Sequence, residues 1–199
     1  RGGALRRLVG RRPEARLARI GLRGRDIEEE RRPQCNLVFL VDVSGSMRPE
    51  NKLPLVKRSL MELVRRLRPD DRIALVVYAG QSRVMLPSTP VSGSREILEA
   101  IGRLGAGGST NGGSGINLAY NIARENFIDG GVNRVLIATD GDFNVGVTSR
   151  QALIELIQRQ ARENVFLTVL GYGTGNIKDA TLEQIANKGN GMYAYIDSI

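Results

Sequence analysis

The sequence predicts an α/β fold: a central, mostly parallel sheet with one short antiparallel edge strand and helices on both faces. Three observations carry this. Five apolar runs rich in β-branched residues, Asn36–Val43, Arg72–Ala79, Arg134–Thr139, Val165–Leu170 and Met192–Ile196, are bounded by Gly, Asp or Asn, as buried parallel strands are. Segments of helical periodicity separate them, and that alternation specifies βαβ units. Twenty-four glycines, no Trp and 41% hydrophobic residues suit a packed domain with many tight turns.

The chain divides on paper into a basic, disordered flank at 1–15, a leading strand and linker at 16–33, and the domain proper at 34–199. Arg16–Leu22 alternates loosely and reads as the leading strand. After the first apolar run, Leu53, Val56, Leu60, Leu63, Val64 and Leu67 form one helical stripe. Val84–Leu86, followed by Pro87, reads as the short edge strand, joined to Arg72–Ala79 by a hairpin around Gly80. Ile116, Ala119, Tyr120, Ala123 and Phe127 make a second stripe; Leu153, Ile154, Ile157 and Ala161 make a third. Ala180–Asn187 reads as a short last helix. The start at Arg1 and the stop at Ile199, just after a strand-like run, read as a fragment of a longer protein.

Composition excludes several functions. There is no His, which removes Ser-His-Asp and Cys-His catalysis and His-ligated zinc. Cys35 is the single cysteine, so no intrachain disulfide forms, and its place before an apolar run makes it a small buried or edge residue. No apolar stretch is long enough to span a membrane, and residues 1–20 lack a signal-peptide core. The net charge of +8 sits mostly in residues 1–32, with 11 Arg against 5 acidic residues. That flank reads as solvated, and no nucleic-acid contact is predicted. Gly107–Gly115 lacks the Gly-Lys-Ser/Thr ending of a phosphate loop, and Gly171-x-Gly173-x-Gly175 has neither the spacing nor the place of a dinucleotide fingerprint. Arg65, Arg66 and Arg68 read as a solvated helix face.

Asp42-Val43-Ser44-Gly45-Ser46 follows directly on the first strand. Ligands of open α/β sheets collect beyond the carboxyl ends of the strands. Two further oxygen-rich loops belong at that edge: Gly107-Gly108-Ser109-Thr110 and Thr139-Asp140-Gly141-Asp142. Asp-x-Ser-x-Ser alone is ordinary turn and N-cap chemistry; the combination of three loops in this order is the signal. The convergent donors are Asp42, Ser44, Ser46, Thr110 and Asp140, all oxygen, which select Mg²⁺, with Mn²⁺ or Ca²⁺ as substitutes. Gly45, Met47, Ser109, Gly141 and Asp142 are candidates for supporting the ligands or touching a partner.

Asp42-x-Ser44-x-Ser46, Thr110 and Thr139-Asp140-Gly141 resemble the metal-ion-dependent adhesion site of von Willebrand factor type A domains, whose fold is Rossmann-like. Asn36–Met47 and Ala138–Val147, with Gly171–Asn176 and Tyr193–Ser198, resemble the bacterial YfbK-like group more specifically. The resemblance implies direct coordination by Ser44, Ser46 and Thr110, with Asp42 and Asp140 binding directly or through water. It also implies envelope-associated full-length relatives, with a cytoplasmic location left open. The expected function is a Mg²⁺-dependent protein-binding module, not an enzyme, in which the metal captures an Asp or Glu of a protein partner. Its alternatives are a Mg²⁺-dependent phosphohydrolase with Asp142 as base, and an assembly subunit contacting an AAA+ ATPase. The partner and the oligomeric state are not encoded in any pattern.

Overall fold

The computed structural model describes residues 32–107, 115–141, 149–173 and 179–197. The chain divides into units at 1–32 and 33–199, and the described residues other than Arg32 lie in the second. The expected leading strand at Arg16–Leu22 and the flank before it lie outside the described residues.

The second unit is built as the alternation requires: β1 (Cys35–Asp42), α1 (Leu53–Arg66), β2 (Arg72–Ala79), β3 (Gln81–Pro90), α2 (Ser94–Gly102), α3 (Gly115–Glu125), β4 (Val132–Thr139), α4 (Arg150–Arg162), β5 (Val165–Tyr172), α5 (Asp179–Lys188) and β6 (Tyr193–Ile196). The sheet order is β3-β2-β1-β4-β5-β6. All pairings are parallel except β2 with β3. Every residue of β1 is buried, as a strand at the centre of a two-sided sheet must be.

Strand alternation sends β1 side chains into two separate cores. Leu37, Phe39 and Val41 pack with α1 and α2, while Val38 and Leu40 pack with α3, α4 and α5. The chain runs outward from β1 to β2 and then returns to place β4 on the other side of β1. The carboxyl ends of β1 and β4 are therefore the switch point where open α/β sheets form their binding crevice.

Four elements differ from expectation. Helix α2 is absent from the sequence reading, yet Ile97, Ala100 and Ile101 form its buried stripe, with Leu104 buried just past its end. Strand β3 extends well beyond Val84–Leu86, because an edge strand tolerates Pro87 and solvent-facing side chains. The hairpin turn does fall at Gly80, with φ +59°. Phe127 lies past the end of α3 and is 40% exposed, so it is not part of that helix's core stripe. Arg65 and Arg66 are solvated beside Glu62, but Arg68 is only a quarter exposed and pairs with Asp70 at 3.1 Å.

Candidate functional site

Asp42 is the last residue of β1 and is fully buried. Its Oδ1 accepts the backbone N–H of Ser44 at 2.8 Å, a local turn of the kind short carboxylates favour. That bond folds the chain back, and Gly45–Met47 continues as one turn of 3₁₀ helix. The turn brings the Ser44 and Ser46 hydroxyls to 2.9 Å from each other. Ser44 is buried while Gly45 and Ser46 face solvent, so the hydroxyl pair spans the boundary between core and water. Met47 is fully buried. It supports this loop from beneath and does not present its side chain to a partner.

Two neighbouring segments hold the loop. Val43 donates to the Tyr78 carbonyl at 3.1 Å, extending the β1–β2 ladder, and Gly107 donates to the Val43 carbonyl at 2.8 Å. Beyond the next segment, Gly115 begins α3 so close to β2 that a Cβ there would meet the Tyr78 Cβ at 3.3 Å and the Ser82 Oγ at 2.8 Å. Gly107 and Gly115 thus both lie at the same sheet edge as Asp42. Ser109 and Thr110 lie outside the described residues, as does Asp142.

Asp140 immediately follows β4, which pairs directly with β1. Gly141 has φ +106°, a conformation that favours glycine, and its N–H donates to the Thr139 hydroxyl at 3.2 Å. The Asp140 carboxylate is nearly buried and accepts from the Lys52 ammonium at 2.7 Å. Lys52 is not among the residues that the sequence pattern points to. It sits just before α1, and a lysine preceding a helix carries no sequence signal for this role.

The electrostatics of the pair are unfavourable. Burial is the largest influence on Asp42 and raises its carboxyl above the ordinary 3.8; bonds from Ser44 oppose this, and Asp140 adds a further upward push. The Asp42 Oδ2 and the Tyr78 hydroxyl are both buried and neither makes a hydrogen bond of normal geometry, although the hydroxyl lies near enough to the carboxylate to favour its charged form. A buried carboxylate oxygen left unpaired is costly, and a cation or its bound water at that point would satisfy it. Hydroxyl pair, orphaned oxygen and second carboxylate form an all-oxygen donor set, which fits a small hard cation. Among the described residues, no group of three or more His, Cys, Asp or Glu forms a separate cluster able to hold a metal.

The glycines of Gly171-x-Gly173 have a packing explanation. A Cβ on Gly171 would strike the Tyr193 hydroxyl at 2.8 Å, and one on Gly173 would strike the Lys52 Cε at 2.7 Å.

The chain thus combines a six-stranded sheet covered on both faces with an Asp-x-Ser-x-Ser turn at its switch point. The von Willebrand factor type A domain profile matches residues 36–198, and the chain belongs to that family. It is 46% identical over 183 residues to the uncharacterized protein YfbK of Escherichia coli K12, covering 92% of this chain and 32% of that protein. The chain thus spans about a third of that relative's length. A von Willebrand factor type A structure from Catenulispora acidiphila superposes with a TM-score of 0.68 at 22% identity, over 83% of this chain and 39% of the other. The manganese-loaded TRAP protein of Plasmodium vivax superposes with a TM-score of 0.62 at 23% identity, over 83% and 69%. These two likenesses concern the fold. Among the described residues, no helix is long and apolar enough to cross a membrane.

Proposed function

We propose that this domain is a Mg²⁺-dependent protein-binding module, with Ser44, Ser46 and Thr110 as ligands and Asp42 and Asp140 completing the site directly or through water. The carrying observation is the orphaned, buried Asp42 Oδ2 beside the paired Ser44 and Ser46 hydroxyls. Bound Mg²⁺ supplies an electrophilic point that keeps exchangeable waters. The chain's own contribution is to hold two carboxylates and two hydroxyls at the sheet edge, part buried and part open to water. An Asp or Glu of a partner is the ligand that such a point accepts.

Binding is favoured over hydrolysis by the surroundings of Ser44. Among the described residues, its hydroxyl bonds to that of Ser46 and to no base, and its backbone N–H is engaged by Asp42. A serine nucleophile needs an adjacent proton acceptor. An assembly role beside an AAA+ ATPase would use the same capture chemistry with a different partner.

The test uses Mn²⁺ as a paramagnetic stand-in and acetate as the simplest carboxylate. Water-proton relaxation should rise when Mn²⁺ binds the protein and fall again as acetate displaces bound water. Asp42→Ala should abolish the first change. Relaxation indifferent to acetate in a Mn²⁺-loaded protein would count against carboxylate capture while leaving metal binding intact.

A further inference from the structure

The Lys52–Asp140 contact goes beyond a surface ion pair. The Lys52 side chain is about one-fifth exposed and that of Asp140 only 4%, so water screens the pair less than it would at the surface. The path of the side chain is shaped by the fold. Its stem passes over Gly173, the residue after β5, where any Cβ would overlap Cε, Cδ and Cγ. Gly173 has φ +97°, and its carbonyl accepts from the Tyr195 hydroxyl of β6 at 2.6 Å. The Lys52 side chain thereby links the start of α1 to the end of β4 through its ammonium and to the residue after β5 through its stem, and that residue is bonded in turn to β6.

We propose that Lys52 is a tethered cation that competes with the metal for Asp140, lowering the site's affinity for divalent ions and holding the carboxylate in place when no ion is bound. This rests on the metal site proposed above. Its physical basis is direct. A positive charge already neutralising one of two carboxylates leaves a net charge of about minus one for the arriving ion instead of minus two, and it repels that ion at short range. Gly173 is a positioning residue for Lys52, since it leaves the lane through which the stem reaches Asp140. A site built this way is filled only at higher metal concentration. Once filled, it keeps a second positive charge nearby that favours an anionic ligand.

The experiment titrates Mn²⁺ by calorimetry into the wild-type domain, Lys52→Met and Lys52→Gln, with Asp42→Ala as control. Lys52→Met keeps the stem length without the charge, and Lys52→Gln covers the case in which the methionine variant folds poorly. Removing the charge should tighten Mn²⁺ binding by roughly three- to thirtyfold, the range a partly screened single charge produces. In EDTA the same variants should melt at lower temperature than the wild type, with the gap closing when Mn²⁺ is added. In the wild type, acylation of Lys52 followed by mass spectrometry should increase on Mn²⁺ loading as the ammonium leaves Asp140. Affinity unchanged or weakened in both lysine variants, with Asp42→Ala still losing the metal, would overturn the role of Lys52 and leave the metal site standing. Binding absent from the wild type but present in Lys52→Met would support competition strongly. Binding absent from all of them would refute both proposals.

Discussion

Gly107 donates its backbone N–H to the Val43 carbonyl at 2.8 Å, and this bond ties the segment leading to Thr110 to the turn carrying Ser44 and Ser46. A Cβ on Gly107 would meet nothing within 4 Å. Gly107→Ala should therefore leave Mn²⁺ affinity within twofold or so of the wild type. Gly107→Pro removes the donor and restricts Ala106, at a cost of about 1 kcal/mol for the lost bond. It should weaken Mn²⁺ binding several-fold in a calorimetric titration. Equal behaviour of the two variants would show that the bond does not set the loop.

Asp42 should trade stability for function. Burial raises its carboxyl above the ordinary 3.8, so ionised Asp42 is held in the metal-free fold at a cost. In EDTA at pH 7, Asp42→Asn should be more stable than the wild type by urea denaturation, since the amide oxygen can still accept from Ser44. With a folded value above the unfolded one, this cost is present at high pH and disappears as the pH falls through the folded value toward 3.8. The advantage of the asparagine variant should vanish over that interval, and its Mn²⁺ binding should be lost throughout.

Met47 holds the turn from below. It is completely buried against the α1 side of the sheet, so Met47→Ala leaves a cavity and should cost about 2–5 kcal/mol. Urea denaturation measures this directly. Met47→Leu, which conserves volume, should cost less than about 1.5 kcal/mol and keep metal affinity near the wild-type value.

Glycine positions offer a contrast within one protein. A Cβ on Gly191 would overlap the Leu167 carbonyl oxygen at 1.4 Å, because the chain runs directly against β5 there on its way into β6. Gly191→Ala should destabilise by roughly 3 kcal/mol or more or prevent β6 from docking. Gly102, at the end of α2, has open space around its Cβ position. Gly102→Ala should be neutral or add up to about 1 kcal/mol. Thermal melts of the two variants check both halves.

The strands β1, β2, β4 and β5 are legible in the sequence because each is an apolar run terminated by a polar or glycine-rich break. Asp42 and Asp140 stand out because each breaks such a run at its carboxyl end. Helix α2 is harder to see. Its stripe of Ile97, Ala100 and Ile101 spans little more than one turn between Pro90 and Gly105, too short for periodicity to rise above the surrounding loop. Lys52 is invisible for another reason. Its partner lies 88 residues away, and only the neighbouring position of β1 and β4 in the sheet brings the two together. For Met47 the sequence leaves open whether it supports the ligands or touches a partner; the 3₁₀ turn rotates it into the core.

The most direct test of the central claim is anomalous diffraction from crystals of the domain grown with Mn²⁺, recorded at the manganese edge. The account predicts one strong peak bounded by the Ser44 and Ser46 hydroxyls, with Asp42 and Asp140 beside it and Thr110 completing the set. A peak elsewhere, or none at this turn under saturating Mn²⁺, would contradict it.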